Sequence, residues 1–377
     1  MTGDAAYKKR RHPQVTNMKT VQLNIDCEGP ITKNDNAFEL CQAFIPKGDK
    51  FFTLISKYDD FLADIEKKPG YQAGDTLKLI LPFLKAFGLT HQQMIDYSRS
   101  HLILLPGAKE TLRQVMEIMP TFIISTSYEP YLEALCQVTG FPFSQIYCTK
   151  INMDHYSLPE DEQKYLRKTA AEIANMSMLE WETSADGAYR LSGRSQDTIQ
   201  RLTVIFWEEI CSMEAGRLLA ETKTIGGRAK ARAVLDSLKI TNNDLSQVIY
   251  LGDSITDVEA LELVRDGGGL SVSLNGNGYA VRSAEICCLS GQASIILLLA
   301  ALFKKGGKNL VLEVADNWSI ERLKDLKEVQ YLLTPQETGR TGFPRLEVIN
   351  KKNMERLVQE SETFRKEVRG IAIGSLG

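Results

Sequence analysis

Carboxylate, hydroxyl and amine side chains follow short apolar stretches along the chain, and together they could transfer a phosphoryl group. Asp26 follows one such stretch, and a carboxylate at a strand end can attack phosphorus to form an aspartyl-phosphate. Asp253 and Asp257 are separated by a turn, where two carboxylates can hold Mg²⁺, an ion that prefers oxygen ligands. The hydroxyl of Ser125 and the ammonium group of Lys230 can neutralise the transferring oxygens.

Neighbouring residues of similar chemical type compete with two of these assignments. Ser125 is the first hydroxyl after its apolar stretch, and Lys230 lies just after Gly226-Gly227, near the start of a predicted helix at 229–238. A turn or a solvated helix surface could equally use any one of these side chains. The competing residues are Thr126, Ser127, Arg228 and Arg232.

The stretches that precede these residues have the pattern of buried parallel strands. Residues 21–25, 121–124, 248–251 and 270–274 are rich in apolar residues, and small polar or acidic residues follow each of them. Segments with helical periodicity lie between these stretches. This alternation predicts an α/β fold with a doubly wound parallel sheet, in which the functional site lies at the carboxyl ends of the strands.

Two long segments with helical periodicity interrupt the predicted core. The core itself comprises residues 20–36, 106–151 and 222–305. The first interruption, 37–105, is predicted as a helical cap, and the second, 152–221, as a further helical insertion. The sequence therefore predicts a Rossmann-like core that carries two helical additions.

The two ends of the chain are predicted to lie outside this core. Residues 1–19 are polar and basic, lack the apolar segment of a signal peptide, and are predicted to be a flexible tail. Residues 306–377 are predicted as a C-terminal extension, and their sequence suggests no chemical role. The predicted elements of this extension are a strand at 310–312, helices at 319–328 and 352–367, and a loop at 336–344.

The composition is that of an ordinary globular protein. Of 377 residues, 43% are hydrophobic and 25% are charged, and a net charge of -3 gives no reason to expect nucleic acid as a partner. The most apolar stretch, 295–303, is too short to cross a bilayer and predicts a helix buried against a sheet. The seven cysteines form no CxxC pair and the four histidines show no ligand spacing, so we expect reduced cysteines and a cytoplasmic protein.

The order of the candidate residues resembles the motifs of the haloacid dehalogenase superfamily. Its four motifs are DxDx[TV], a Ser or Thr, a Lys, and an acid pair that begins with Gly-Asp. In this chain they correspond to residues 26–30, Ser125, Lys230 and 252–257. The last motif, together with the strand at 270–274, is similar to that of phosphoserine-phosphatase-type members.

This resemblance implies a role for each matching residue. It implies that Asp26 is the nucleophile and a Mg²⁺ ligand. Glu28 is implied to bind the metal through its backbone carbonyl and to act as general acid and base through its side chain, while Ser125 and Lys230 bind phosphate. The remaining implied Mg²⁺ ligands are Asp253 and Asp257. The implied reaction is hydrolysis of a phosphate monoester, and the large cap favours a small phosphorylated metabolite as substrate.

At two positions the chain departs from the usual motif. Glu28 stands where the superfamily usually has Asp, although enolase-phosphatases also carry Glu there, and Glu is a competent proton carrier. Dehalogenases lack an acid at this position, so Glu28 favours ester hydrolysis. Pro30 replaces the usual Thr or Val and removes hydrogen-bond donors near the site. Two alternatives therefore stay open: a catalytically weak accessory or regulatory subunit, and a phosphotransferase or phosphomutase.

Several short stretches resemble a narrower group within the superfamily. Residues 26–31, 34–36, 38–40 and 71–76 are similar to archaeal proteins known as subunit R of energy-converting hydrogenase A in methanogens. This resemblance implies an archaeal cytoplasm and an association with a hydrogenase complex. The sequence itself indicates no oligomeric state.

Overall fold

The computed structural model describes residues 20–183, 189–327, 329–332 and 343–376. Within these residues the strands are β1 Gln22–Ile25, β2 Thr121–Tyr128, β3 Ile146–Thr149, β4 Trp181–Thr183, β5 Tyr189–Leu191, β6 Val248–Gly252, β7 Leu270–Leu274, β8 Ile286–Leu289 and β9 Arg345–Val348. Seven of them form one sheet in the order β3-β2-β1-β6-β7-β8-β9, while β4 and β5 form a separate hairpin. Only β9 runs antiparallel to its neighbour in the large sheet, so the predicted α/β class is confirmed.

Helices cover both faces of this sheet, as a doubly wound fold requires. The α-helices of the described residues, including those of the cap, are α1 Asn36–Phe44, α2 Gly48–Asp60, α3 Thr76–Ala86, α4 His91–His101, α5 Ala108–Ile118, α6 Glu129–Thr139, α7 Glu160–Ile173, α8 Gly193–Val204, α9 Gly216–Glu221, α10 Arg228–Thr241, α11 Val258–Asp266, α12 Gly278–Ser283, α13 Ser294–Asp316, α14 Ile320–Lys324, α15 Met354–Arg369 and α16 Ile371–Gly374. Helices α5, α6 and α13 pack on one face of the sheet, and α10 and α11 pack on the other.

The register of the central strands brings the candidate residues to one edge of the sheet. Ile25 at the end of β1 pairs with Ile123 of β2 and with Leu251 of β6. Because these strands are parallel, their carboxyl ends emerge side by side. Within two residues of the paired positions the chain reaches Asp26, Ser125 and Asp253.

The predicted strand at 310–312 is wrong, because these residues belong to α13. This helix is kinked at Gly307, whose backbone adopts a positive φ of 64°. Beyond the kink, Val311, Val314 and Ala315 are spaced as one helical face and are buried in the same cluster as the sheet. Three consecutive apolar residues carry no periodicity of their own, so they could not distinguish a strand from a buried helix.

The two helical insertions pack together into one hydrophobic cluster, hereafter the cap cluster. It joins residues of α1 to α3 from the first insertion to residues of α7 and α8 from the second. Within it, the Phe206 ring lies 6.0 Å from the rings of both Tyr58 and Phe83. The boundaries predicted for the two insertions stay predictions, but their side chains share one core.

The C-terminal extension adds a strand to the sheet and a helix above its edge. Strand β9 pairs with β8, and α15 packs against α12. Beyond α15 the chain continues through α16 to Leu376, which is buried in the cap cluster. The predicted tail at 1–19 and most of the predicted loop at 336–344 lie outside the described residues. None of the described helices combines the length and apolar character that a membrane span needs.

Candidate active site

A small polar cavity lies between the sheet edge, the cap and the C-terminal segment. Its volume is about 90 Å³. The core contributes Asp26, Glu28, Ser125, Thr126, Ser127 and Asp253, among others. The cap contributes Asp59, Asp60 and Thr76, and the C-terminal segment contributes Arg365, Arg369 and Leu376. The cavity therefore lies at the carboxyl ends of the central strands, where the sequence predicts the site.

Asp26 and Lys230 form a buried ion pair at the base of this site. One carboxylate oxygen of Asp26 accepts a hydrogen bond from the Cys27 amide at 2.6 Å, and the other accepts one from Lys230 Nζ at 2.6 Å. Lys230 is fully buried and also donates to Asp257 at 2.8 Å. Lys230 occupies the first turn of α10. This helix begins directly after Gly227, whose backbone has a positive φ of 48°. The lysine is thus held by both of the acids that it neutralises.

The protonation of this pair depends on how many positive charges the site holds. Burial raises the pKa of Asp26 to about 8; Lys230 opposes this rise, and the carboxylates of Asp257 and Asp253 add to it. Burial lowers the pKa of Lys230, but Asp257 and Asp26 outweigh that effect, so its pKa is raised. A further positive charge beside Asp26 would favour its ionised form, which is the form a nucleophile needs.

The two other acids lie on a turn whose own backbone holds Asp257 in place. One oxygen of Asp257 accepts hydrogen bonds from Lys230 and from the Tyr250 hydroxyl, both at 2.8 Å. The other accepts from the backbone amides of Asp253 at 3.0 Å and Ser254 at 3.1 Å. The Ser254 hydroxyl also donates to this oxygen at 3.4 Å, so five donors fix Asp257 on the turn that follows Gly252-Asp253.

Three buried carboxylates converge in a way that suits a divalent cation. Asp26, Asp253 and Asp257 each offer one oxygen, and these oxygens all lie within 4.8 Å of one another. Hard oxygen donors are the ligands that Mg²⁺ takes in proteins. The donor set therefore fits the Mg²⁺ that the motif resemblance implies, with Asp26, Asp253 and Asp257 as the residues that would hold it.

The carboxylate of Glu28 is not one of these three, and the metal contact through its backbone carbonyl stays a prediction. Its carboxylate accepts a hydrogen bond from the Asn36 amide at 2.7 Å and lines the cavity. Burial raises the pKa of Glu28 well above its usual range, Asp35 adds to the rise, and the Asn36 amide opposes it. A carboxyl group with a raised pKa keeps its proton near neutral pH and can donate it. Pro30 is buried and does not line the cavity.

Gly29 is required by the close approach of the first and fourth motifs. Its φ is 101°, and a Cβ atom there would lie 2.1 Å from Oδ2 of Asp253. Only glycine adopts this backbone conformation readily, and only glycine leaves room for the carboxylate. The close approach of Asp253 therefore requires glycine at this position in the turn after Asp26.

The three hydroxyl residues in the C-terminal half of β2 all line the cavity. Ser125 Oγ donates to Ser127 Oγ at 3.2 Å, whereas the buried Oγ1 of Thr126 has no partner among the described residues. The choice of Ser125 among the three stays a prediction. The competition for the lysine position is clearer: Arg228 donates to the Tyr71 carbonyl at 3.0 Å, and Arg232 lines a separate groove, so neither takes the place of Lys230 at Asp26.

Two arginines that the sequence analysis did not identify as site residues form ion pairs with Asp253. Arg365 Nη1 donates to the carboxylate of Asp253 and, at 3.1 Å, to its backbone carbonyl. Arg369 Nη1 donates to the same carboxylate oxygen at 3.1 Å. Both side chains are buried and lie four residues apart, on one face of α15. That spacing is visible in the sequence, but it says nothing about which acid the arginines meet.

The cap also contributes acids to the cavity wall. Asp59 accepts hydrogen bonds from the Tyr71 hydroxyl at 2.6 Å, the Gly74 amide at 2.8 Å and the Thr76 amide at 3.1 Å. Asp60 instead pairs with Lys57, whose Nζ lies 3.2 Å away and whose side chain is 36% exposed. Burial raises the pKa of Asp60 to about 6, and Lys57 opposes this rise.

Comparison of the sequence with protein-family models and with curated proteins finds no match. Among solved structures, the gene product AF1437 from Archaeoglobus fulgidus is similar, with 25% identity and a TM-score of 0.77. The similarity covers 95% of this chain and 99% of that one. The fold is therefore shared with that protein over most of the chain.

Phosphoserine phosphatases are more distant neighbours. A substrate-bound complex is 12% identical with a TM-score of 0.41, and it covers 71% of this chain and 92% of that one. A phospho-aspartyl intermediate analogue is 11% identical with a TM-score of 0.40, over 71% and 93% of the two chains. Similarity at this level supports no conclusion about the present site, and none of these neighbours bears on the hydrogenase resemblance.

Proposed function

We propose that this protein is a Mg²⁺-dependent phosphatase that hydrolyses a small phosphate monoester through an aspartyl-phosphate on Asp26. The observation that carries the proposal is the group of buried carboxylates at the cavity. Asp26, Asp253 and Asp257 place their oxygens within 4.8 Å of one another, and Lys230 hydrogen-bonds two of them. A nucleophile, a cation and an acid pair at the ends of parallel strands are the components that phosphoryl transfer needs.

The reaction takes place in two steps that both use Asp26 and Glu28. In the first step, a carboxylate oxygen of Asp26 attacks phosphorus, the ester P–O bond breaks, and the leaving oxygen takes the proton of Glu28. In the second step, Glu28 removes a proton from water, and the resulting hydroxide attacks the aspartyl-phosphate. Inorganic phosphate leaves, and Asp26 returns as a carboxylate. The raised pKa of Glu28 suits it to hold the proton at the start.

Other groups balance charge during these steps. Lys230 stabilises the ionised carboxylate of Asp26, and a hydroxyl from Ser125, with Thr126 and Ser127 as alternatives, donates to a phosphoryl oxygen. Mg²⁺, when bound, supplies positive charge that holds the phosphate and the nucleophile together. The cavity of about 90 Å³ lies beneath the cap, which supports a small metabolite as substrate.

The test is phosphate release from a library of phosphorylated metabolites and from p-nitrophenyl phosphate, with and without Mg²⁺. We expect Mg²⁺-dependent release that falls by roughly a thousandfold or more in Asp26→Asn, because the covalent intermediate cannot form. Asp266→Asn is the matched control, since the Asp266 side chain is 67% exposed and pairs with Arg265, outside the cavity. Release that persists in Asp26→Asn, or its absence from every substrate, would contradict the proposal.

One observation favours a second candidate function. Arg365 and Arg369 already neutralise Asp253, as expected of a protein that keeps the fold but turns over weakly. Such a protein would act as an accessory subunit, and the hydrogenase resemblance suggests the kind of complex. Affinity purification of the tagged chain from a methanogen tests this: recovery of hydrogenase subunits together with no phosphate release supports the second candidate over the first.

A further inference from the structure

The last residues of the described chain touch three separate parts of the molecule. Arg365 and Arg369 bind Asp253 of the core. Arg369 also binds the segment that joins the core to the cap, and Leu376 is buried in the cap cluster. We call residues 365–376 the latch, because they connect the candidate metal site to the cap.

The contact with the joining segment involves two backbone carbonyls. Arg369 Nε donates to the carbonyl of Lys33 at 3.2 Å, and its Nη2 donates to that of Asn34. These residues lie just before α1, where the chain passes from core to cap. The chain returns from the cap beside them, since the Lys33 amide donates to the Ile103 carbonyl at 2.9 Å. Arg369 thus binds the site at which any hinge motion of the cap would originate.

Each of the three acids already forms an ion pair within the chain. Lys230 pairs with Asp26 and Asp257, and both Arg365 and Arg369 pair with Asp253. Oδ2 of Asp253 accepts hydrogen bonds from both guanidinium groups. A divalent cation that uses this carboxylate must therefore compete with the arginines, by taking a shared oxygen and by electrostatic repulsion.

The arginines are held in a way that permits exchange. The buried Nε of Arg365 has no hydrogen-bond partner among the described residues. A buried donor without a partner costs free energy that release to solvent recovers. Most apolar side chains of α15 pack in or against a small cluster with β8 and α12, and Val368 packs against the main core of the sheet. The five fully buried members of the small cluster are Val281, Cys287, Leu289, Leu357 and Val358.

We infer that the latch and a divalent cation compete for Asp253, so that the latch holds the cap closed over the metal-free site and metal binding releases it. The inference rests on the metal site of the proposed function but not on catalysis. Because coupling is reciprocal, the closed latch weakens metal binding by the same factor by which bound metal weakens the latch, so a change that opens the latch strengthens metal binding. Residues far from the metal should therefore change its affinity.

The experiment measures the Mn²⁺ affinity of the full chain from the electron paramagnetic resonance signal of the free ion. Arg365→Gln/Arg369→Gln should bind Mn²⁺ about tenfold more tightly than the unchanged protein, a typical size for such coupling. Arg356→Gln is the control on the same helix, since its side chain is 47% exposed and pairs with Glu347 and Glu360. The control should keep the original affinity.

A second variant separates the latch from the charges at Asp253. Leu376→Ala weakens the cap end of the latch without altering a metal ligand or an arginine. We expect its Mn²⁺ affinity to rise by a few fold, because the released latch no longer opposes the ion. A leucine with a purely structural role would leave metal affinity unchanged or reduce it. This variant also replaces the double variant if the latter fails to fold.

Amide hydrogen exchange reports the movement directly. Mn²⁺ should raise exchange in residues 354–376 and in the 33–36 segment of the unchanged protein, and these regions should already exchange fast in the double variant. Equal or weaker affinity in the double variant, or stronger protection of the latch with Mn²⁺, would overturn the inference. Phosphate release is not used, so a failure of catalysis and a failure of the latch are distinguishable.

Discussion

Lys230 and the pair Arg365 and Arg369 neutralise neighbouring acids of one site, yet they reach it from different parts of the fold. Lys230 comes from α10, which packs on the central sheet through a buried apolar cluster. The arginines come from α15, whose apolar contacts are few and whose remaining contacts are largely polar. Both groups are buried and both make short ion pairs.

The difference indicates which positive charge is permanent. Displacing Lys230 would require α10 to leave the sheet, so its charge is part of the core. Displacing the arginines requires α15 to move, and this helix packs at the edge of the sheet, on β8 and α12, rather than on its central strands. Burial alone does not distinguish the two groups; the distinction lies in what each helix packs against.

The largest effect is expected at Lys230. Lys230→Met leaves Asp26 and Asp257 buried without their shared cation, and we expect a loss of about 4 kcal/mol in the free energy of unfolding. Urea denaturation measures this loss. The control is Lys239→Met, since Lys239 is 76% exposed and pairs only with Asp236 on the same helix. A loss no larger than that of the control would show that Lys230 is not a fixed part of the core.

A smaller and more local effect is expected at Arg369. Arg369→Gln removes bonds to Asp253 and to two carbonyls, but Arg365 stays and α15 can detach by itself. We expect a loss of about 2 kcal/mol that appears as faster hydrogen exchange in α15 rather than as a shift in global unfolding. If α15 and the sheet instead unfold together, the two cation groups are equally permanent, and the comparison fails.

Lys57 of the cap extends the comparison to a cation that is partly exposed to solvent. Lys57 is 36% exposed, and its partner Asp60 has a pKa of about 6 in the folded protein against an ordinary 3.8. The folded state therefore binds a proton more tightly than the unfolded state. The stability that this proton contributes is complete below pH 3.8 and is lost as the pH rises through about 6.

The expected change is about 1 kcal/mol between pH 5 and pH 7, and it should disappear in Asp60→Asn. Urea denaturation of both proteins at the two pH values provides the measurement. Asp49→Asn is the control, since Asp49 is exposed on the same helix α2, and this variant should keep the pH dependence. An unchanged pH dependence in Asp60→Asn would mean that Lys57 keeps Asp60 ionised in spite of its exposure.

The part of the site that the sequence predicts lies at strand ends. Asp26 and Asp253 follow short stretches that pair in parallel register, so their proximity follows from the pattern of the strands alone. Lys230 follows from its place at a helix start after two glycines. Local pattern and sheet topology together determine where these residues lie, and the roles assigned to them stay predictions.

The remaining features depend on packing that no local pattern encodes. Arg365 and Arg369 lie on an ordinary polar helix, and their partner Asp253 is more than 100 residues away in sequence. The shared cap cluster joins insertions that the core separates. Whether a short apolar run forms a strand, as in β9, or a helix, as at 310–312, depends on which neighbouring element packs against it. In each case a long-range contact determines the structure.

The central position of β1 also affects how the protein is made. Translation completes β1 well before its neighbour β6. It also reaches Lys230, which pairs with Asp26, 204 residues after Asp26 itself. At ordinary translation speeds this delay amounts to roughly 10 to 40 s. During that time the strand that carries Asp26 has an unpaired edge, which is a known risk for aggregation. The chain therefore belongs to the class of nascent proteins for which a chaperone bound at the ribosome would matter most, and β1 is the segment it would protect.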